Sequence, residues 1–135
     1  MKRVLIVDDH PNIRKMIRLA LGKDYLLEEA GDADQALACI GANVPDGIVL
    51  DVMMPGSMNG FQLCERIKQD SGLAKMYVVL VTACGQVEDQ ELGYALGADA
   101  YFVKPFSPIA LARHLHSALH SDPSAAMVLG KGDCT

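Results

Sequence analysis

Short apolar runs alternate along the chain with segments that have helical periodicity. Four runs are rich in β-branched residues and lack a two-residue alternation of apolar and polar positions; they span residues 4–7, 48–50, 77–81 and 101–103. This pattern is typical of strands that are buried on both faces of a parallel sheet. A weaker run at residues 25–29 ends in glutamates, so it predicts an edge strand.

The segments between these runs predict helices. Apolar residues recur every four positions in residues 11–21, which open with Pro11 and precede Gly22, both typical boundary residues. Asp32 followed by Gln35 predicts a capping box at the start of the second helix. The remaining three helices are predicted to start near Asn59, Val87 and Ser107.

The alternation of strand and helix, repeated five times, predicts an α/β fold. It is a doubly wound, five-stranded parallel sheet with helices on both faces, a three-layer αβα sandwich. In such sheets ligands bind beyond the carboxyl ends of the strands. We expect one domain over residues 1–120. Residues 121–135 are small, polar and aperiodic, and we expect them to form a flexible C-terminal tail.

The composition is that of one globular domain and argues against several classes of function. The net charge is −5 and the basic residues are scattered, so we expect no direct nucleic-acid binding by this chain. The first apolar run is too short for a signal peptide or a membrane span, so we expect a cytoplasmic protein without membrane contact. The four cysteines show no zinc-ligand spacing, so we expect reduced thiols.

Polar residues with chemical potential follow four of the predicted strands. They are Asp8 and Asp9, then Asp51, then Thr82, then Lys104. Three carboxylates in one crevice repel one another unless a cation joins them, and Mg²⁺ prefers such oxygen ligands. A lysine and a hydroxyl opposite them suit an anion. A carboxylate nucleophile, a metal and a cation together indicate phosphoryl transfer to aspartate.

In this order and at these strand ends, the motifs resemble the receiver domains of two-component signal transduction. The resemblance covers about residues 2–119 and implies a flavodoxin-like sheet with strand order 2-1-3-4-5. The matching positions are Asp8-Asp9, Asp51 with Pro55, Asn59-Gly60, Thr82-Ala83, Tyr101 and Lys104-Pro105-Phe106.

The resemblance implies that Asp51 is the phosphoacceptor of a Mg²⁺-dependent (or Mn²⁺-dependent) switch. It implies that Asp9, Asp51 and the backbone carbonyl of Met53 bind the metal directly, while Asp8 acts mainly through a water. It further implies that Lys104 bridges Asp51 and the phosphoryl group.

The resemblance also implies how the phosphorylated state is read out. Thr82, together with Ala83 after it, contacts the phosphoryl oxygens, and Tyr101 turns inward to fill the space that Thr82 leaves. The peptide bond before Pro105 is expected to be cis.

The implied phosphodonor is a sensor histidine kinase or a phosphotransfer protein. The face made by the fourth helix, fifth strand and fifth helix is expected to contact a downstream protein or a fused output module. The chain is therefore not expected to be an enzyme, beyond assisting its own phosphotransfer and dephosphorylation.

The chain departs from the commonest family pattern in two places, and two variable positions flank its chemistry. The loop after Pro55 has one residue more than the commonest spacing, and Asn59 stands where aspartate is usual, although the two cap helices almost equally well. Met53 and Cys84, each two residues after a site residue, cannot hold an attacking water as an acid or amide can. This predicts a comparatively long-lived aspartyl phosphate.

Two other functions compete with the phosphorylation switch. A phosphatase of the haloacid dehalogenase type usually has two acids separated by one residue, whereas Asp8 and Asp9 are adjacent and Asp51 is followed by Val52 and Met53. A pseudo-receiver usually lacks one of the acids, the threonine or the lysine, and this chain has them all. Incubation with acetyl phosphate and Mg²⁺ discriminates between these functions. A stable single phosphorylation that Asp51→Ala abolishes supports the switch, whereas turnover of phosphate esters supports the phosphatase.

Overall fold

The structure, a computed structural model, describes residues 1–83 and 87–120. In these ranges five strands alternate with five helices. The strands are β1 (Lys2–Val7), β2 (Tyr25–Ala30), β3 (Gly47–Asp51), β4 (Tyr77–Thr82) and β5 (Ala100–Val103). The helices are α1 (Pro11–Leu21), α2 (Ala33–Ala42), α3 (Gly60–Gln69), α4 (Val87–Ala95) and α5 (Pro108–His120). The expected flexible tail, residues 121–135, and Cys84 lie outside the described residues.

All five strands pair in parallel, in the order β2-β1-β3-β4-β5. The predicted fold class and strand order are therefore confirmed. The prediction of an edge strand at residues 25–29 is also confirmed, because among the described residues β2 pairs only with β1. Its Glu28 and Glu29 are half-buried and face arginine side chains, which an edge strand permits and a central strand does not.

The sheet separates the apolar residues into two core clusters, one on each face. Leu5 and Ile48 belong to the cluster under α2 and α3, while their neighbours Ile6 and Val49 belong to the cluster under α1 and α5. Because consecutive residues of a strand point to opposite faces, both faces must be apolar. This explains why the central strands show no alternation of apolar and polar residues.

Two helix caps show how well local signals predicted the helix starts. Asn59 caps α3 in a full capping box with Gln62, of which only the Asn59 half was predicted. The box predicted at Asp32 is incomplete. Its carboxylate accepts from the backbone N–H of Gln35, but the Gln35 side chain reaches one residue further back and accepts from Gly31.

A glycine at the start of α3 holds that helix against the end of β3. The backbone N–H of Gly60 donates to the carbonyl of Val52 over 2.9 Å. A Cβ at Gly60 would overlap the carbonyl oxygen of Asp51 and lie 2.6 Å from the Cα of Val52. Only glycine permits this approach, which places α3 directly behind the carboxyl end of β3. Within the two described ranges, the helices are too short or too polar to cross a membrane.

Candidate functional site

The carboxyl ends of four strands bring the predicted site residues to one edge of the sheet. Asp8 follows β1, Asp51 ends β3, Thr82 ends β4 and Lys104 follows β5. In residues 1–83 and 87–120, the buried polar or charged residues are Asp8, Asp51 and Thr82, which are at most 2% exposed. Burying polar and charged groups costs free energy unless they are hydrogen-bonded or paired. The presence of all three at one edge of the sheet therefore indicates a functional site.

Lys104 supplies the positive charge at this edge. Its Nζ lies 3.3 Å from Oδ2 of Asp8 and 3.5 Å from Oδ1 of Asp51. Its backbone N–H donates to the carbonyl of Thr82 over 2.7 Å, which ties the end of β5 to the end of β4. The lysine therefore faces both buried carboxylates from a fixed backbone position.

Two carboxylate oxygens at the site are buried and, among the described residues, accept no hydrogen bond. They are Oδ2 of Asp51 and Oδ1 of Asp9. A buried acceptor without a hydrogen bond costs its desolvation free energy. In native proteins such a group is often explained by a bound water or ion. These atoms indicate a cation site.

The electrostatic environment of Asp51 also indicates a cation site. Burial, followed by the charge of Asp8 and a smaller effect of Asp9, raises the pKa of Asp51 to about 6, while Lys104 and the backbone N–H of Met53 oppose the rise. The Met53 N–H donates to Oδ1 of Asp51 over 3.2 Å. A divalent cation would relieve the repulsion that raises this pKa.

The acidic residues are close enough to share one ion. One ligand atom from each of Asp8, Asp9, His10 and Asp51 lies within 4.8 Å of the others. Carboxylate oxygens suit Mg²⁺ or Mn²⁺, so the residues present fit the expected metal. The sequence prediction did not include His10, although its position directly after the acidic pair was a signal.

A second contributor that was not predicted is Arg14 of α1. Its Nη1 donates to the backbone carbonyl of Asp8 over 2.6 Å, and its Nε donates to Glu29 of β2 over 3.0 Å. The arginine therefore holds the turn after β1 between α1 and the edge strand. Nothing in the sequence pattern distinguished it from the other basic residues of α1.

Comparison with known proteins identifies the family. The family model for the response regulator receiver domain matches residues 4–116. The chain belongs to the response regulator receiver family. This confirms the resemblance that the strand-end motifs indicated, and it places the chain among the receiver domains of two-component systems.

Similar proteins include longer regulators and single receivers. The chain is 40% identical over 119 residues to the phosphate regulon transcriptional regulatory protein PhoB of Pseudomonas aeruginosa, covering 87% of this chain and 52% of that protein. It is 36% identical over 134 residues to the DNA-binding response regulator MtrA of Mycolicibacterium smegmatis, covering 98% and 57%. The chemotaxis protein CheY4 of Vibrio cholerae superposes with a TM-score of 0.80 at 34% identity, covering 88% of this chain and 99% of that chain.

The chain thus spans about half the length of the sequence relatives it matches. Some of these relatives are DNA-binding regulators by name. The expectation that this chain has no contact with nucleic acid is therefore not supported by the comparisons.

The other receiver positions lie around the same edge. Ala83 follows β4 and is exposed. Tyr101 is half-buried in β5, with its ring centroid 6.4 Å from that of Tyr94 on α4. The Lys104–Pro105 peptide bond is cis. The Met53 side chain is exposed beside Asp51, and its backbone carbonyl remains a predicted ligand.

The lengthened loop between β3 and α3 runs toward α2. Gly56 adopts a φ of +106°, and Oγ of Ser57 donates to Oδ1 of Asp34 in the first turn of α2 over 3.0 Å. The loop that holds the extra residue therefore contacts α2, and Asp51 lies at the end of β3.

Proposed function

We propose that this receiver is a phosphorylation switch that accepts a phosphoryl group on Asp51 from a histidine kinase or phosphotransfer protein, with Mg²⁺ or Mn²⁺ as cofactor. One observation carries the proposal. The Asp51 carboxylate is 2% exposed, one of its oxygens has no hydrogen-bond partner among the described residues, and Lys104 faces the other. The carboxylate can therefore bind a cation through its free oxygen, and Lys104 beside it can attract the anionic phosphoryl group.

The chemistry is a single displacement at phosphorus. One oxygen of Asp51 attacks, a P–O bond forms as the P–N bond to the donor's histidine breaks, and the electron pair stays on the imidazole nitrogen, which takes up a proton. Lys104 neutralises charge on the phosphoryl oxygens and Thr82 donates a hydrogen bond to one of them. Such transfer needs positioning and charge neutralisation more than covalent participation by other groups.

The metal would be held by Asp9, Asp51 and the Met53 carbonyl, with Asp8 acting through a water. When bound, it supplies positive charge against the phosphoryl oxygens and removes the repulsion among the carboxylates. The buried oxygens of Asp9 and Asp51 that accept no hydrogen bond from the described residues support this assignment.

The signal passes from the site to the face made by α4, β5 and α5. Thr82 shifts toward the phosphoryl group with Ala83, and Tyr101 turns inward behind it. Tyr101 is well placed for this because its ring packs beside Tyr94 of α4 and beside Gly93. Phosphorylation then biases two packings of this face by its differential contacts with each.

Receiver domains act with histidine kinases and output modules. For this chain we infer a protein partner or a fused output module that contacts the α4-β5-α5 face. Any DNA contact belongs to that output, as the names of the longer relatives suggest for those proteins. The assignment as a switch without turnover of outside substrates, and the cytoplasmic location, remain predictions.

The test is incubation with acetyl phosphate and Mg²⁺, followed by intact mass. We expect one added phosphoryl group, absent from Asp51→Asn and present in the matched control Asp24→Asn, which alters an exposed aspartate at the opposite edge of the sheet. Turnover of phosphate esters without a stable adduct would favour the phosphatase alternative. Metal binding without phosphorylation would favour the pseudo-receiver.

A further inference from the structure

His10 occupies an unusual position at the mouth of the acidic site. It follows Asp9 directly and is the N-cap residue of α1, yet its side chain makes no capping hydrogen bond. Its backbone N–H instead donates to Oδ1 of Asp8 over 2.8 Å. The backbone therefore anchors the residue to the buried acid, and the imidazole is not used to cap the helix.

The imidazole points at the acidic pair. Its Nδ1 lies 3.1 Å from Oδ1 of Asp8 and 3.1 Å from Oδ1 of Asp9. The ring is 65% exposed, so an ion arriving from solvent meets it before it meets the buried carboxylates. The short distance to Asp8 is a hydrogen bond. The equally short distance to Asp9 is not, and Oδ1 of Asp9 accepts no hydrogen bond from the described residues.

A second observation shows that the cluster is a ligand site and not only a group of acids. Asp51 is 2% exposed and its Oδ2 accepts no hydrogen bond from the described residues. One ligand atom from each of His10 and the three aspartates lies within 4.8 Å of the others, close to the separation of about 4.2 Å between opposite ligands of a six-coordinate ion with bonds of about 2.1 Å.

We propose that His10 is a nitrogen ligand of this site and sets its choice of metal. The proposal rests on the site being the divalent-cation site of the proposed function. Three carboxylates alone favour hard ions such as Mg²⁺, whereas an added imidazole nitrogen favours first-row transition metals. An ion between the carboxylates and Nδ1 would bind the imidazole nitrogen, and Mn²⁺ or Co²⁺ gains more from that bond than Mg²⁺ does.

The other histidines provide the control. His116 and His120 stack on α5 with ring centroids 4.4 Å apart, a spacing at which a helix can bind a transition metal by itself. His116 lines one groove at the far end of the sheet and His120 lines a second, and Asp24 lines both. Any cobalt bound there must be separated from cobalt bound at His10.

The experiment is calorimetric titration of the full chain with Mg²⁺ and with Co²⁺, for the wild type, His10→Asn and the control His116→Ala. We expect His10→Asn to weaken Co²⁺ at the acidic site by about tenfold or more and to change Mg²⁺ affinity by less than about twofold. His116→Ala should change neither. In the cobalt-loaded protein, one contact-shifted imidazole proton should be present in the wild type and in His116→Ala but absent from His10→Asn, which separates it from any signal of cobalt bound at His116 and His120.

If His10→Asn weakened the binding of Mg²⁺ and of Co²⁺ equally, His10 would only position the acids and the inference would be overturned. Unchanged affinity for both ions would also overturn it. Phosphorylation by acetyl phosphate with Mg²⁺ is measured on the same samples. If Asp51 is phosphorylated but the cobalt preference does not depend on His10, only this inference fails. If the preference depends on His10 but Asp51 is not phosphorylated, only the proposed function fails.

Discussion

Gly60 packs against the backbone of Asp51 so closely that a Cβ would overlap the aspartate's carbonyl oxygen. The first turn of α3 and the end of β3 therefore form one unit, and the carboxylate of Asp51 is positioned by a residue that has no side chain. The motif Asn59-Gly60 was recognised from the sequence, but its physical role becomes clear only from this contact.

Substitution Gly60→Ala is expected to destabilise the fold. The clashing atoms belong to the backbone at the end of β3 and cannot rotate away, so we expect a loss of about 1–3 kcal/mol in the free energy of unfolding. Urea denaturation measures it. The matched control is Gly41→Ala in α2, where a Cβ would meet nothing within 4 Å and should stabilise by up to about 1 kcal/mol. Equal stability of Gly60→Ala and the wild type would contradict the packing described.

Neutralising Asp51 should stabilise the metal-free protein at neutral pH. The pKa of Asp51 is raised to about 6 from an ordinary 3.8, first by burial and then by Asp8, so the folded state binds this proton more tightly than the unfolded state. The resulting cost is fully present above about pH 6 and is relieved as the pH falls from there toward 4. Asp51→Asn should therefore gain on the order of 2 kcal/mol in EDTA at pH 7.

Urea denaturation at pH 7 and pH 5, with EDTA or with Mg²⁺, measures this effect. The gain of Asp51→Asn over the wild type should shrink at pH 5, and Mg²⁺ should stabilise the wild type but not the variant. An Asp51→Asn protein that is less stable than the wild type in EDTA at both pH values would contradict the electrostatic account.

Removing the positive charge of Lys104 should separate metal binding from phosphorylation. In Lys104→Ala the carboxylates of Asp8 and Asp51 lose a cation within 3.3–3.5 Å, so Mg²⁺ should bind several-fold more tightly, by about 1 kcal/mol or more. The rate of phosphorylation by acetyl phosphate should fall by about tenfold or more, because an oxyanion-stabilising charge is lost. Lys75→Ala, at an exposed lysine, is the control. Weaker Mg²⁺ binding would count against the arrangement.

The lifetime of the aspartyl phosphate depends on the two positions that flank the site. Met53 is exposed beside Asp51 and offers no group that orients an attacking water. Cys84 lies outside the described residues, so its part of the prediction rests on sequence alone. Met53→Asn and Cys84→Glu should each accelerate loss of the phosphoryl group, measured by release of inorganic phosphate after removal of acetyl phosphate. Equal or slower loss in both variants would contradict a long-lived phosphate in the wild type.

The sequence predicted the sheet and most of the site edge because both depend on local signals. Uninterrupted apolar runs identify strands buried on two faces, and in a parallel sheet their carboxyl ends must lie at one edge. The sequence therefore predicted that four side chains lie at the same edge, although it gives no distances between them. They are Asp8, Asp51, Thr82 and Lys104. The strand order came from the family resemblance and not from the pattern.

The features that were missed depend on contacts between distant segments. Arg14 is one of several basic residues in α1, and only the fold shows that it contacts the carbonyl of Asp8. The tie from Ser57 to Asp34 depends on the path of a loop of unusual length. At Asp32 the second half of the predicted capping box is absent for a local reason: the Gln35 side chain accepts from the backbone N–H of Gly31 and not from that of Asp32.

The position of the acyl phosphate shows whether Asp51 is the phosphoacceptor. The protein is treated with acetyl phosphate and Mg²⁺, reduced with borohydride, which converts an aspartyl phosphate to homoserine, and mapped by peptide mass spectrometry. We expect homoserine at position 51, and none when Mg²⁺ is replaced by EDTA. Homoserine at another aspartate, or none with Mg²⁺ present, would contradict it.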